Sequence, residues 1–335
     1  MMTTVLALLA LGAFTAEPAA LEQEVKLGTL APEGSPWHKI IQDMGEEWKA
    51  AAGPGLKFRI FPGGVAGDEP DMVRKLRIGQ LHMAALTSVG LAEIAPEIMA
   101  IQMPMLLRTD EELDYVRDKI APRFEKLLLD KGFVVLNWGE AGWTHFFGQK
   151  PIVTVADLKG TKLMVWEGNP GEHQAWKAAG VNPVPLAATD MHTGLKSGLI
   201  NAFTTSALAA LSFQWFGSAK EMSDLNWVPL IGATIIKVEK WNALDPKLKP
   251  ALLASAKTAG VAFRKETRAQ SIIAVETMKK HGLTVHTVPP EEVAVWQTQA
   301  RLAWPALMGK TVPLELVTEI EKLRDELRAQ KQQGK

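Results

Sequence analysis

The 335-residue chain is expected to fold as a two-lobed α/β protein, each lobe a mainly parallel sheet flanked by helices. Three observations carry that expectation. Short apolar strands alternate with amphipathic helical stretches along most of the chain, the pattern of sheets covered by helices. The length corresponds to roughly two domains at ~150 residues each. A unit of glycine, apolar strand and Thr/Ser-rich turn also occurs twice, as GQLHMAALTS at 79–88 and GLINAFTTS at 198–206.

Residues 25–30 alternate as a strand, and the loop APEGSP at 31–36 supplies an N-cap serine, Ser35, and a proline at the first helical position. Trp37, Ile40, Ile41, Met44 and Trp48 recur at helical spacing, and Leu56, Phe58 and Ile60 alternate in a second strand. Asp68 caps a helix starting near Pro70 and ended by Gly79, and 82–86 is a short buried strand. Asp110 opens an amphipathic helix that ends at Gly132, followed by a strand at 133–138. The same order then repeats: strand 162–166, helix 170–179, a strand around Val184, helix 189–197 and strand 199–205. An alternating run at 226–238 is long for one strand and is expected to cross between lobes. After it the chain is helical except for a strand at 283–288, and the last helix, 313–330, precedes a frayed tail.

Hydrophobic residues make up 47% and charged residues 22%, ordinary for a globular protein. Lysine plus arginine and aspartate plus glutamate each total 37, and this balance argues against a nucleic-acid partner, which needs a basic face. The absence of cysteine excludes thiol catalysis, disulfides, thiolate metal sites and a lipid-anchored N-terminus. Residues 1–20 read as a signal peptide with an apolar region at 5–14 and small-residue patterns at Ala16 and Ala20, although Met1-Met2-Thr3-Thr4 lacks a basic residue.

No catalytic constellation is visible. The seven histidines show no metal-ligand spacing, and no G-x-S-x-G elbow occurs. Gly63-Gly64-Val65-Ala66-Gly67 lies between strand and helix but lacks the spacing of a nucleotide-binding loop, so it reads as a turn. Glu46-Glu47 and Glu111-Glu112 read as solvated helix faces. No enzyme, metal or cofactor is expected.

The run KLGTLAPEGSPWHK at 26–39 resembles the opening of substrate-binding subunits of TRAP (tripartite ATP-independent periplasmic) transporters of the dicarboxylate-receptor type. FPGG at 61–64, GDE at 67–69, LRIG at 76–79, MP at 103–104, DLKGTK at 157–162, GVNPVPL at 180–186 and LKSG at 195–198 follow in matching order, so the similarity extends over about residues 25 to 310. The resemblance implies a periplasmic-binding-protein fold with chain crossovers: lobe I from 25–141 and 229–269, lobe II from 142–228 and 270–312, and a C-terminal helix and tail at 313–335. It also implies a periplasmic receptor that closes on a small molecule and delivers it to membrane permease subunits. The candidate ligand-binding set is Glu33, Trp37, Asp68, Thr87, Trp143, Thr144, Met164, Trp166, Phe203, Thr204, Thr205 and Trp215.

In such receptors an arginine after the D-L-K-G motif meets the ligand carboxylate as a planar fork. Here Met164 holds that position, Thr144 stands where many members have another arginine, and Phe203-Thr204-Thr205 replaces a polar Gln-Glu-Asn stretch. A buried unpaired anion costs several kcal/mol, so the expected ligand is neutral or hydrophobic. Two alternatives stand beside it. One is an organic acid held by Lys162, His145 or Arg59; the other is a receptor-like protein whose main partner is another periplasmic protein.

Overall fold

The computed structural model describes residues 23–167, 170–308 and 312–333. The expected signal segment at 1–20 lies outside them. The first half contains β1 (Gln23–Thr29), α1 (Pro36–Ala52), β2 (Leu56–Phe61), α2 (Glu69–Arg77), β3 (Met83–Thr87), α3 (Ser88–Ala92), α4 (Asp110–Asp130) and β4 (Phe133–Gly148). Next come β5 (Lys162–Trp166), α5 (Pro170–Ala178), β6 (Asn182–Leu186), α6 (Met191–Ser197), β7 (Ala202–Ser206), α7 (Ala207–Ser212) and β8 (Glu221–Ser223). The chain finishes with β9 (Pro229–Lys237), α8 (Val238–Ala243), α9 (Lys249–Lys280), β10 (Thr284–His286), α10 (Pro290–Leu307) and α11 (Leu314–Gln333).

Local chemistry explains the helix starts. Ser35 caps α1 by accepting from His38 N, and Asp68 caps α2 by accepting from Glu69 N. Thr109, one residue before the expected start, caps α4. The two Thr/Ser turns of the internal repeat also act as caps, Thr87 for α3 and Ser206 for α7.

The strands run β2-β1-β3-β9-β4-β7-β5-β6, with β8 joining β4 to β10. Both flanks are parallel, as β1 pairs with β2 and β3 while β5 pairs with β6 and β7. The centre is antiparallel, because β9 returns in the opposite direction between β3 and β4. The expected mainly parallel arrangement thus holds on each flank, and the antiparallel pairings of β9 and β4 at the centre are added to it. The 16-residue β4 is also longer than the strand expected at 133–138. Its stretch to Trp143 pairs with β9, and its stretch from Thr144 pairs with β7. Two irregularities interrupt its register with β9, one between Val135 and Asn137 and one between Glu140 and Gly142. Such bulges bend a strand and re-aim its side chains.

Gly232 on β9 permits the close approach of β3, since a Cβ there would lie 2.6 Å from Leu86 O. The C-terminal helix packs on α4 of the same chain, through Arg328–Glu112 at 2.7 Å, Arg123–Glu319 at 2.5 Å and Lys331–Glu111. Apolar side chains of Leu316, Val317 and Ile320 join the core beside Val116 and Ile120. No helix among the described residues is long and apolar enough to cross a membrane.

Candidate functional site

A cavity of about 120 Å³ lies where the carboxyl ends of β1 and β3, the bulged middle of β4, β9 and the turns after β5 and β6 meet. Ligands collect at strand carboxyl ends in open α/β sheets because the connecting loops leave a crevice there. Trp37, Trp166, Phe213, Trp215 and Phe263 supply aromatic walls, and Leu30, Ile41, Leu86 and Leu230 supply aliphatic ones. Trp37 is held in place by a relay: its Nε1–H donates to Thr267 Oγ1 at 2.9 Å, and that hydroxyl donates to Glu140 O at 3.0 Å. Trp215 stacks on Phe213 with ring centroids 4.6 Å apart.

Asp68, Glu69 and Glu140 also line the cavity, and each is already engaged. Asp68 Oδ1 accepts from Glu69 N at 2.8 Å, and its Oδ2 accepts from Ala188 N at 2.8 Å. Glu69 accepts from Thr87 N, Thr87 Oγ1 and Gly90 N. Glu140 receives the Arg268 guanidinium at 2.6 Å, and Arg268 also grips Asp114 at 2.7 Å. Burial pushes the Glu69 carboxyl up to about 7 in spite of its hydrogen bonds. Asp68 and Glu140 are also raised, desolvation being the largest cause in both. No lysine, arginine or histidine lines the cavity among the described residues.

Two lining side chains lack partners. Asn137 Nδ2 and Oδ1 and Thr234 Oγ1 are buried without a hydrogen bond. The two residues face each other across the β4–β9 ladder. Buried polar atoms are normally bonded, and each orphan costs roughly 1–3 kcal/mol. The cavity wall therefore carries an acceptor, an amide donor and a hydroxyl whose hydrogen bonds are unmet. Sequence reasoning missed both residues, because Asn137 falls at a bulge that breaks the strand's alternation and Thr234 reads as an ordinary strand residue.

A second, larger cavity of about 510 Å³ adjoins the first, and Val89, Trp166 and Leu230 line both. Of the expected site residues, Trp37, Asp68, Thr87, Trp166, Thr205 and Trp215 line the first cavity, while Thr144, Trp166 and Thr204 line the second. Glu33 is exposed and lines neither. Trp143 is half-buried outside both and donates to Asp110 Oδ1 at 2.7 Å. Met164 and Phe203 are buried in the core; Phe203 stacks on Phe147 at 5.3 Å, and Met164 belongs to the same apolar cluster. The Thr87 hydroxyl is engaged, donating to Glu69 and accepting from Val89 N, and the Thr144 hydroxyl is bonded to the backbone of Val228.

The alternative cations lie away from the first cavity. Lys162 is exposed and donates to Gly198 O at 2.8 Å, and Arg59 is exposed beside Glu24. His145 bonds Leu225 O through Nδ1, and loss of hydration pushes it down to about 4, so the ring is neutral at pH 7.

The family model for bacterial extracellular solute-binding protein, family 7 (DctP), matches residues 27–311. The 2,3-diketo-L-gulonate-binding periplasmic protein YiaO of Escherichia coli K12 is 29% identical over 236 residues, covering 69% of this chain and 71% of that protein. Among solved structures, a TRAP periplasmic solute-binding protein from Sulfurospirillum deleyianum with bound succinate has a TM-score of 0.84 at 21% identity, covering 90% of this chain and 99% of that one. A sugar acid binding protein from Advenella mimigardefordensis in complex with galactonate has a TM-score of 0.86 at 18% identity, covering 92% and 99%. At these identities the structures establish a shared fold.

Proposed function

The chain belongs to bacterial extracellular solute-binding protein family 7, and from that membership we propose that it is a TRAP receptor for an uncharged, largely apolar small molecule. Proteins of this family are binding proteins, not enzymes; they take up small-molecule ligands and work with membrane permease subunits. The observation that carries the ligand class is the charge inventory of the first cavity. Its lining holds Asp68, Glu69 and Glu140 and no cationic side chain. A carboxylate entering there meets no guanidinium fork and faces acidic groups in a poorly hydrated space, where like charges repel most strongly. An uncharged amide, alcohol or ketone instead satisfies Asn137 and Thr234 while Trp37, Trp166 and Trp215 cover its apolar body.

In this reading 25–141 with 229–269 forms one lobe and 142–228 with 270–312 the other, closing on the ligand by a hinge motion. The partner change of β4 from β9 to β7 between Trp143 and Thr144 supports that division. Asp68 Oδ2 and Ala188 N then form one link across the cleft.

An organic acid is the second reading, favoured by the succinate and galactonate in the similar solved structures. Native mass spectrometry of protein purified without refolding, with identification of the released molecule, separates the two. A neutral compound is the expected result, and a dicarboxylate or sugar acid overturns the proposal.

A further inference from the structure

The two adjoining cavities differ in what they ask of an occupant. The first holds about 120 Å³, comparable with the roughly 150 Å³ that encloses a single benzene, so a molecule of any length must extend beyond it. It also contains the unbonded Asn137 and Thr234 side chains. The second holds about 510 Å³, and several of its polar groups are committed elsewhere. Gln102 donates to Pro229 O at 2.6 Å, the Thr144 hydroxyl is bonded to Val228, and the Trp176 and Trp296 indoles donate to Glu172 and Val153 O. Most of what remains for an occupant is apolar, the ring faces of the tryptophans and the side chains of Pro96, Met99 and Leu307, with Lys159, Thr204 and Gln299 also on the wall.

Buried unbonded polar groups thus lie at one end and a larger, mostly apolar wall at the other, and the shared wall contains Trp166, a half-buried residue tilted against Trp215 at 6.5 Å. We propose that the two cavities bind one elongated amphiphile, with an uncharged hydrogen-bonding head between Asn137 and Thr234 and a hydrocarbon chain passing Trp166 into the second cavity. This rests on the neutral-ligand reading above and adds to it the length and direction of the molecule. The chain gains by leaving water for an apolar wall, at a rate set by each buried methylene. The head gains by replacing the missing hydrogen bonds of two buried groups.

The test is calorimetric titration of the full chain with butanamide, octanamide and octanoate, repeated with Ala303→Trp. Ala303 is a half-buried residue lining only the second cavity. Octanamide is expected to bind roughly a hundredfold tighter than butanamide, the effect of four additional buried methylenes. Ala303→Trp is expected to erase most of that difference while leaving butanamide unchanged. Equal binding of the two amides, both tighter than octanoate, overturns the chain in the second cavity and leaves the neutral-ligand reading standing. Octanoate binding tighter than octanamide overturns the uncharged head and that reading with it. The wild-type chain-length comparison stands even if the Ala303→Trp protein fails to fold.

Discussion

Asn137 on β4 and Thr234 on β9 stand opposite each other in an antiparallel ladder, both buried and both without a side-chain hydrogen bond. The bulge between Val135 and Asn137 sets the register that pairs them, and Gly260 on α9 leaves room for the amide, since a Cβ there would lie 2.8 Å from Asn137 Cβ.

Orphaned groups of this kind weaken the empty protein and strengthen its liganded form. Thr234→Val is therefore expected to stabilise the unliganded chain by about 1 kcal/mol, and Asn137→Leu by a similar amount or more. Both changes should weaken the co-purifying ligand about tenfold. Urea unfolding of ligand-free protein and a binding titration check the two halves, and a loss of stability in Thr234→Val contradicts the assignment.

The Glu140–Arg268 pair supports the wall of the first cavity. Glu140 is 3% exposed at the side chain and Arg268 is 28% exposed. Arg268→Met leaves a buried carboxylate without its cation, which costs about 3 kcal/mol, the low end for such a loss because Arg268 keeps some water contact. Adding Glu140→Gln is expected to recover much of that stability. If the double variant unfolds as readily as the single one, packing rather than charge governs this position.

Met164 stands at the position where the resemblance expects an arginine, yet it is 1% exposed within an apolar cluster. Met164→Arg is expected to destabilise the fold by several kcal/mol, because a guanidinium would be desolvated there with no partner provided. Thermal unfolding measures this; an unchanged midpoint with new affinity for acids would mean that the side chain reaches the cavity.

Glu69 makes stability depend on pH. Its folded carboxyl titrates near 7 against an ordinary 4.5, so between these values the folded protein binds protons that the unfolded chain has released. Stability is highest below the unfolded pKa and declines as pH rises through about 7, by about 3 kcal/mol at roughly 1.4 kcal/mol per unit. Asp68 and Glu140, raised by burial as well, act in the same direction. Glu69→Gln loses part of the hydrogen bonding to Thr87 and Gly90 but should flatten this slope. Urea unfolding at pH 5 and pH 8 for both proteins is the check, and equal slopes refute the role of Glu69.

Helix starts and most strands were legible because their signals are local. Ser35 and Asp68 announce α1 and α2, and the repeated Thr/Ser turns mark Thr87 and Ser206, whose side chains cap the following helices. The cavity was legible at Trp37, Trp166 and Trp215, three tryptophans that line it. It was not legible at Met164 and Phe203, since alternation along a strand tells which residues share a face and not which face the core covers.

The sequence by itself determined the family and most of the order of strands and helices, because motifs, caps and apolar periodicity are properties of neighbouring residues. Only the tertiary structure decided that β9 returns antiparallel through the centre, that β4 runs on past Trp138, and that Asn137 and Thr234 meet without partners. Those outcomes depend on residues about a hundred positions apart reaching the same ladder, and on bulges whose effect exists only once the opposing strand is in place.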